Sequence, residues 1–191
     1  MEDRAIETIK RMLVGRDIKV DNVDSLGSPV DETRMFNIGG VLVIFSEKGR
    51  VTENILQTYI TFAEDNSYTH GVIVVTLSPP SVNVLDFIRT YNNNTTKPLF
   101  QVFEIRRLQF DITTHRKFPP HRIISKDELA ALEKKFNITE PKKQLPWIDS
   151  EDPAAKWIGA RSGDVVEVQR FSESAGNCTY HRYCVANVLQ T

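Results

Sequence analysis

Continuous apolar runs alternate with amphipathic helical patterns in the first part of the chain. The runs lie at residues 41–45, 72–77 and 99–105, and the stretches between them carry apolar residues at the spacing of a helix face. A strand that is apolar along its whole length is typical of a parallel sheet covered on both faces. We therefore expect an α/β domain over residues 1–112, with a mainly parallel sheet flanked by helices.

Local signals predict where the elements of this domain begin and end. A first helix should stop near Gly15, a second should be opened by Thr52, and Ser81 should cap a third. The polar, acidic segment 16–34 is interpreted as a connection, and Gly39-Gly40 as a turn.

The pattern changes after residue 112, where prolines separate shorter elements. Ser125 and Glu128 form a capping box that predicts a helix. Asp152-Pro153 predicts the start of a short helix that Gly159 can end. Two strands joined through residues 172–177 are expected to follow. This mixture predicts a second, small α+β domain over residues 113–191.

Charge and hydropathy limit the classes of function. The 191 residues carry 24 Lys and Arg against 25 Asp and Glu, and the excess is acidic in residues 1–112 and basic in residues 113–191. A protein that gripped nucleic acid alone would need a much more basic face, so any nucleic-acid contact is expected to be auxiliary. The longest apolar run is far shorter than the ~20 residues that cross a bilayer, which predicts a soluble chain without a membrane partner.

The familiar arrangements of catalytic residues are missing. A nuclease centre would need a carboxylate and a Glu-x-Lys pair on neighbouring strands, but Glu133-x-Lys135 falls on a predicted helix and Glu140-x-Lys142 in a connection. Gly39-Gly40 precedes a strand, so it cannot form a strand-to-helix phosphate cradle. No G-x-S-x-G elbow occurs. We expect no catalytic residue and no cofactor.

Histidines and cysteines of the second domain do not have the spacing of a metal site. His115, His121 and His181 form no H-x-x-x-H pair. Cys178 and Cys184 lie six residues apart in a predicted strand, which separates them by about 20 Å at ~3.3 Å per residue. Neither a disulfide nor a shared zinc ion spans that distance, so we interpret these residues as structural and expect no metal.

One segment of the first domain has a chemical preference for phosphate. Ser78-Pro79-Pro80-Ser81 follows the second apolar run and opens a helix, whose first N–H groups attract anions. Lys97, Arg106 and Arg107 could add positive charge nearby.

The second domain resembles the fifth common subunit of eukaryotic-type DNA-directed RNA polymerases, whose matching domain is also found as a small archaeal polymerase subunit. The motifs occur in the family order. Three positions depart from it: Trp147 replaces an Arg, Phe171 replaces a Pro, and His181 interrupts the final Tyr-Arg. The matching segments are His115-x-x-x-Pro119-x-His121, Gln144-Leu145-Pro146-x-Ile148, Asp152-Pro153-Ala154-Ala155, residues 159–166, residues 170–176 and Tyr180-His181-Arg182.

What the resemblance implies is a non-catalytic polymerase subunit. The second domain would dock on the largest subunit and join the rest of the polymerase core. The first domain resembles the family's N-terminal jaw more loosely, and its Ser78, Pro79, Pro80 and Ser81 would face downstream duplex DNA without reading its sequence. The residues expected to form the docking surface are Asp152, Pro153, Gly159, Arg161, Gly163, Val165, Val166, Arg170, Ser172, Glu173, Gly176 and Arg182.

The sequence leaves open how the protein associates with a polymerase and what kind of organism it comes from. A jaw exposed on a polymerase could also bind transcription factors. The alternative to a core subunit is therefore a free-standing module that binds transcription regulators and associates with the polymerase only transiently. Because the archaeal counterpart lacks the jaw, the resemblance points either to a eukaryote or to a large DNA virus. The expected location is the nucleus for a cellular protein, and the host cytoplasm or the virion for a viral one.

Overall fold

The structure is a computed structural model that describes residues 1–28, 30, 32–174 and 176–188. The chain divides into two compact units, Met1–Asp111 (unit 1) and Ile112–Thr191 (unit 2). Within the described residues, no helix is long and apolar enough to cross a membrane.

Unit 1 is built on one sheet. Its described strands follow the order β1-β2-β3-β4-β5 across the sheet. The β1–β2 and β2–β3 pairs are antiparallel, whereas β3–β4 and β4–β5 are parallel. The strands are β1 (Val23–Gly27), β2 (Thr33–Ile38), β3 (Val41–Ser46), β4 (Val72–Thr76) and β5 (Phe100–Glu104).

The α/β class is confirmed, but the prediction of a mainly parallel sheet is wrong for two of these strands. β1 and the start of β2 lie in the segment 16–34 that we interpreted as a connection. β1 is an edge strand, exposed at four of its five residues, so it carries no apolar run. β2 has only part of its length buried, as antiparallel strands commonly do. Continuous apolar runs therefore do not reveal polar edge strands of this kind.

Three helices accompany this sheet: α1 (Glu2–Val14), α2 (Glu53–Asp65) and α3 (Val82–Asn92). Alternate residues of the parallel strands pack with α2 and α3 in one core, in which Leu56, Tyr59 and Ile88 are fully or almost fully buried. The opposite side of the strands is also buried, and Arg16, just after α1, donates to Gln101 Oε1 there at 2.7 Å. Thr52 opens α2 as predicted, at the N-cap position but without a side-chain cap bond, and the predicted cap Ser81 occupies the N-cap position of α3.

Gly39-Gly40 forms the two-residue turn of the β2–β3 hairpin, with Ile38 paired to Val41. Both glycines have positive φ, +58° and +81°, as a tight hairpin turn requires. A Cβ on Gly39 would lie 2.5 Å from the Lys19 carbonyl oxygen, so this position also needs glycine for space.

Unit 2 contains a second sheet whose described strands follow the order β6-β8-β9-β7. β8 pairs antiparallel with β6 and β9, and β7 pairs parallel with β9. These strands are β6 (His121–Ile123), β7 (Trp147–Asp149), β8 (Val165–Ser172) and β9 (Gly176–Val185).

The helices of unit 2 are α4 (Lys126–Phe136), α5 (Pro141–Gln144) and α6 (Pro153–Ile158). The predicted capping box is present: Ser125 Oγ accepts from the Glu128 N–H, and Glu128 Oε2 accepts from the Ser125 N–H. A small core forms between α6 and the sheet, around Ala155, Val166 and Cys184, each completely buried.

Candidate functional site

The predicted phosphate-facing segment of unit 1 lies between β4 and α3. The Ser81 side chain accepts from the Val84 N–H at 3.4 Å, which satisfies one of the free N–H groups of the first turn. Thr76 Oγ1 donates to the Ser78 carbonyl at 2.8 Å, which fixes the path of the chain as it leaves β4. Pro79 is exposed, and Ser78 and Pro80 are half-buried.

An open cleft of about 780 Å³ lies beside this segment. Its lining comes from the two successive strand-to-helix connections, so it includes the N-termini of both α2 and α3. Each helix N-terminus contributes a partial positive charge to the cleft, and the lining adds one cation, Arg50, and one carboxylate, Glu53. Its polar lining residues are Arg50, Thr52, Glu53, Asn54, Ser78, Ser81 and Asn83.

The basic residues predicted to add charge near this segment are not among those that line the cleft. Lys97 Nζ lies 3.4 Å from Glu64 Oε1 and stacks over the Tyr91 ring. Arg106 Nε lies 3.8 Å from Glu104 Oε1, and Arg107 is exposed. The cation in the cleft lining is Arg50, which sequence reasoning did not single out.

Three predicted docking residues shape the ends of α6. Asp152 Oδ1 accepts from the Ala154 N–H at 2.8 Å, and Pro153 occupies the first turn, where it sacrifices no helical hydrogen bond. Gly159 ends the helix with φ +76°, and the next N–H, of Ala160, reaches the Ala155 carbonyl at 2.9 Å.

Arg161, Gly163 and Asp164 form a tight turn between α6 and β8. The Arg161 N–H donates to Asp164 Oδ2 at 2.7 Å, and the Asp164 N–H returns a bond to the Arg161 carbonyl. Burial raises the pKa of Asp164, while the hydrogen bond from the Arg161 backbone opposes that shift. Gly163 has φ +103° and donates to the Cys184 carbonyl, which ties the turn to β9.

Val165 and Val166 lie in the interior of unit 2, 2% and 0% exposed. A partner that approaches the folded unit cannot contact them directly. They hold β8 against its neighbours, so their part in docking would be to position the exposed residues around them.

The far halves of β8 and β9 extend past β6 and β7 as a two-stranded ribbon, residues 169–174 and 176–180. Arg170 and Glu173 are exposed, Ser172 and Gly176 are half-buried, and Ser172 pairs with Gly176 at the turn. Phe171 is 75% exposed, more than any other large apolar residue described. Ala175, part of the matching motif, lies outside the described residues.

Strand alternation places Arg170, Ser172 and Arg182 on one face of the sheet. Arg182 lies over the Tyr180 ring, 5.5 Å from its centroid, and its Nη1 donates to the Trp147 carbonyl at 3.2 Å. The Arg182 guanidinium is therefore held over the side of β9 on which β7 lies.

A charged cluster on the opposite face was not anticipated from the sequence. Arg122 donates to both Glu167 oxygens at 2.9 Å and to both Glu128 oxygens at 2.8 and 3.0 Å. His181 Nε2 lies 3.6 Å from Glu167 Oε2. Glu128 is a near neighbour of Arg122 in the chain, but Arg122, Glu167 and His181 lie on three strands and are up to 59 positions apart, so strand register brings those three together.

The histidines and cysteines considered as metal ligands occupy different places in unit 2. His121 Nδ1 lies 2.6 Å from the Pro119 carbonyl, and burial lowers the pKa of the His121 imidazole. Cys178 is exposed near the ribbon turn, whereas burial raises the pKa of Cys184 to about 12. Across the described part of the chain, no three His, Cys, Asp or Glu side chains are grouped as metal ligands.

Comparison with known proteins gives matches that centre on unit 2. Residues 110–184 match the family model of RNA polymerase Rpb5, C-terminal domain. The chain is 44% identical over 77 residues to the DNA-directed RNA polymerase subunit Rpo5 of Pyrococcus abyssi, covering 40% of this chain and 92% of that protein. It is 42% identical to the Rpo5 subunit of Methanosarcina acetivorans over a stretch of the same length, 96% of that protein.

A longer match extends into unit 1. The subunit rpabc1 of DNA-directed RNA polymerases I, II and III from Dictyostelium discoideum is 28% identical over 148 residues, covering 76% of this chain and 72% of that protein. Unit 2 has only 80 residues, so this alignment includes part of unit 1. Since an archaeal relative is matched over nearly its whole length, this chain belongs to the family of the fifth common RNA polymerase subunit, Rpb5 and Rpo5.

Proposed function

We propose that this protein is a non-catalytic subunit of a multisubunit DNA-directed RNA polymerase. Unit 2 docks on the largest subunit within the polymerase core, and unit 1 lies beside the downstream duplex. The match of residues 110–184 to relatives that are named polymerase subunits carries this proposal.

The exposed ribbon of unit 2 supports docking. An isolated two-stranded hairpin is at best marginally stable in water, and the ribbon has no further described strand on either side. The ribbon offers an exposed aromatic side chain, Phe171, on one face, the charged Arg170 on the other, and Glu173 at its turn. Aromatic residues and Arg are the residue types that most often dominate the binding energy of protein interfaces. A partner that covers the ribbon would stabilise it and bury Phe171.

The cleft of unit 1 supports a contact with DNA backbone. Helix N-termini donate N–H groups to phosphate oxygens without distinguishing one base from another. Unit 1 has 12 basic against 15 acidic side chains, so this contact would be weak alone and would work only when the polymerase already holds the duplex. The compartment follows that of the polymerase: the nucleus for a cellular enzyme, and the host cytoplasm or virion for a viral one.

Ser81→Asp tests the DNA contact. Aspartate is as good an N-cap as serine, so α3 should keep its fold while the cleft gains a negative charge. In a polymerase assembled with this variant, photocrosslinking of downstream DNA to residues 78–83 should fall several-fold. Ser81→Asn is the matched control, since it caps the helix without charge and should crosslink as the wild type does. Equal crosslinking of the Asp and Asn variants would contradict a phosphate contact at this cleft.

A further inference from the structure

On the β7 side of β9, the ribbon of unit 2 has a backbone edge with no described strand beside it. The Tyr183 N–H donates to the Pro146 carbonyl, so the backbone groups of Tyr183 point toward β7. In β8, the Gln169 N–H donates to the Pro120 carbonyl and so points away from β9. Gln169 is paired with Thr179, so successive residues of β9 direct their backbone groups alternately toward β8 and toward β7. The same alternation directs the N–H and C=O groups of Asn177, Thr179 and His181 to the β7 side.

The β7 strand cannot extend along this row. β7 begins at Trp147, after Pro146, and its pairing with β9 reaches only Tyr183. In a parallel ladder the next donor toward His181 would be the N–H of residue 146, which a proline lacks. Asn177 and Thr179 are exposed, and no described strand pairs with their outward groups.

This edge lacks three of the usual protections. In natural sheets, proline, lysine or a β-bulge at an open edge prevents pairing with another strand. The stretch of β9 from Gly176 to Arg182, of which Asn177, Cys178 and Thr179 are exposed, has no proline or lysine, and its register with β8 is continuous. The row of Asn177, Thr179 and His181 is thus a template for one more strand.

We propose that β9 receives an extended segment of the polymerase subunit on which unit 2 docks, added as a strand beside residues 177–181. This inference rests on the proposed function and specifies how the docking occurs. Main-chain hydrogen bonds to a row of three residues would supply affinity, as they do wherever a peptide extends a sheet. The strand would also convert the two-stranded ribbon into a three-stranded sheet.

Arg182 specifies one side chain of the incoming strand. Its guanidinium reaches over the β7 side of β9, and the bond to the Trp147 carbonyl uses one of its five N–H donors. A carboxylate from the added strand would therefore be paired there in a charge-assisted hydrogen bond. We assign an acidic residue to the position facing Arg182.

Hydrogen exchange gives the direct test, measured at residue resolution on the purified full-length chain and on its complex with the purified largest subunit. The amides of Asn177, Thr179 and His181 should exchange quickly in the free chain and at least about tenfold more slowly in the complex. Binding with unchanged exchange at all three amides would overturn strand addition and leave the proposed function standing. Failure to bind would overturn both.

Thr179→Pro tests the same edge chemically. Proline removes one outward N–H but no bond to β8, so the ribbon should keep its fold, while binding should weaken about tenfold. Thr179→Val keeps the N–H and should bind normally. Arg182→Gln should make binding less sensitive to salt. A folded Thr179→Pro chain that binds like Thr179→Val would overturn the proposal.

Discussion

Three alanine substitutions at glycines of unit 1 separate the cost of backbone strain from the cost of steric crowding. One of them lies in the β2–β3 turn. Gly49 has an ordinary backbone conformation and no atom within 4 Å of the place that a Cβ would take. Gly27 has φ +73° with the same empty surroundings. Gly39 has φ +58°, and its Cβ would lie 2.5 Å from the Lys19 carbonyl oxygen and 2.9 Å from Ile18 Cγ2. Alanine at Gly49 therefore adds neither cost, alanine at Gly27 adds backbone strain alone, and alanine at Gly39 adds both strain and crowding.

The expected losses of unfolding free energy follow this order. Gly49→Ala should cost within about 0.5 kcal/mol, as surface substitutions usually do. Gly27→Ala should cost about 1–2 kcal/mol, the penalty of a left-handed conformation for an L-residue. Gly39→Ala adds the cost of crowding a packed site, about 1–3 kcal/mol, for a total of about 2–5 kcal/mol. That total is a large part of a typical domain stability of ~5–15 kcal/mol.

Urea unfolding measures these costs, with an internal reference. Both tryptophans, Trp147 and Trp157, belong to unit 2, so their fluorescence follows that unit, while far-UV circular dichroism follows the whole chain. We expect Gly39→Ala to move the dichroism transition of unit 1 to lower urea and to leave the tryptophan transition in place. Equal midpoints for Gly39→Ala and Gly27→Ala would refute the crowding at Lys19.

Two further predictions concern unit 2. Ser125→Ala removes one half of the capping box of α4 and should lower the unfolding free energy by about 1 kcal/mol, read from the tryptophan transition, whereas Ser125→Asp should retain most of it. Burial lowers the pKa of His121 in the folded state, so the unfolded state binds more protons, and the stability of unit 2 should fall as pH drops from about 7 through the unfolded His pKa of about 6.5. His121→Gln should flatten that dependence in urea titrations at several pH values, and an unchanged slope would contradict the role of His121.

Helix ends were predictable because their signals are local. Ser81, Ser125, Asp152 and Gly159 each act within four residues of themselves, so the chain order alone indicates what they do. The continuous apolar runs of β3, β4 and β5 were recognisable for the same reason. β1 and β2 were missed because an edge strand with a solvated face has a composition close to that of a loop.

The candidate surfaces were predictable only in part because they depend on long-range register. Alternation within β8 could place Arg170 and Ser172 on one face, but adding Arg182 required the β8–β9 pairing. The pairing of Arg122 with Glu167 spans 45 residues and two strands, with no local signal. Val165 and Val166 matched the family motif, and the sequence alone does not separate motif residues of the core from those of a surface.

Stoichiometric recovery with a polymerase tests the central claim most directly. The tagged full-length protein would be purified from its native source, washed at high salt, and its bound proteins quantified by mass spectrometry. We predict that the two large polymerase subunits remain bound in equal amount to the tagged chain. Recovery of the chain alone, or of polymerase in small amounts that salt removes, would contradict a core subunit and favour a transient, regulator-binding module.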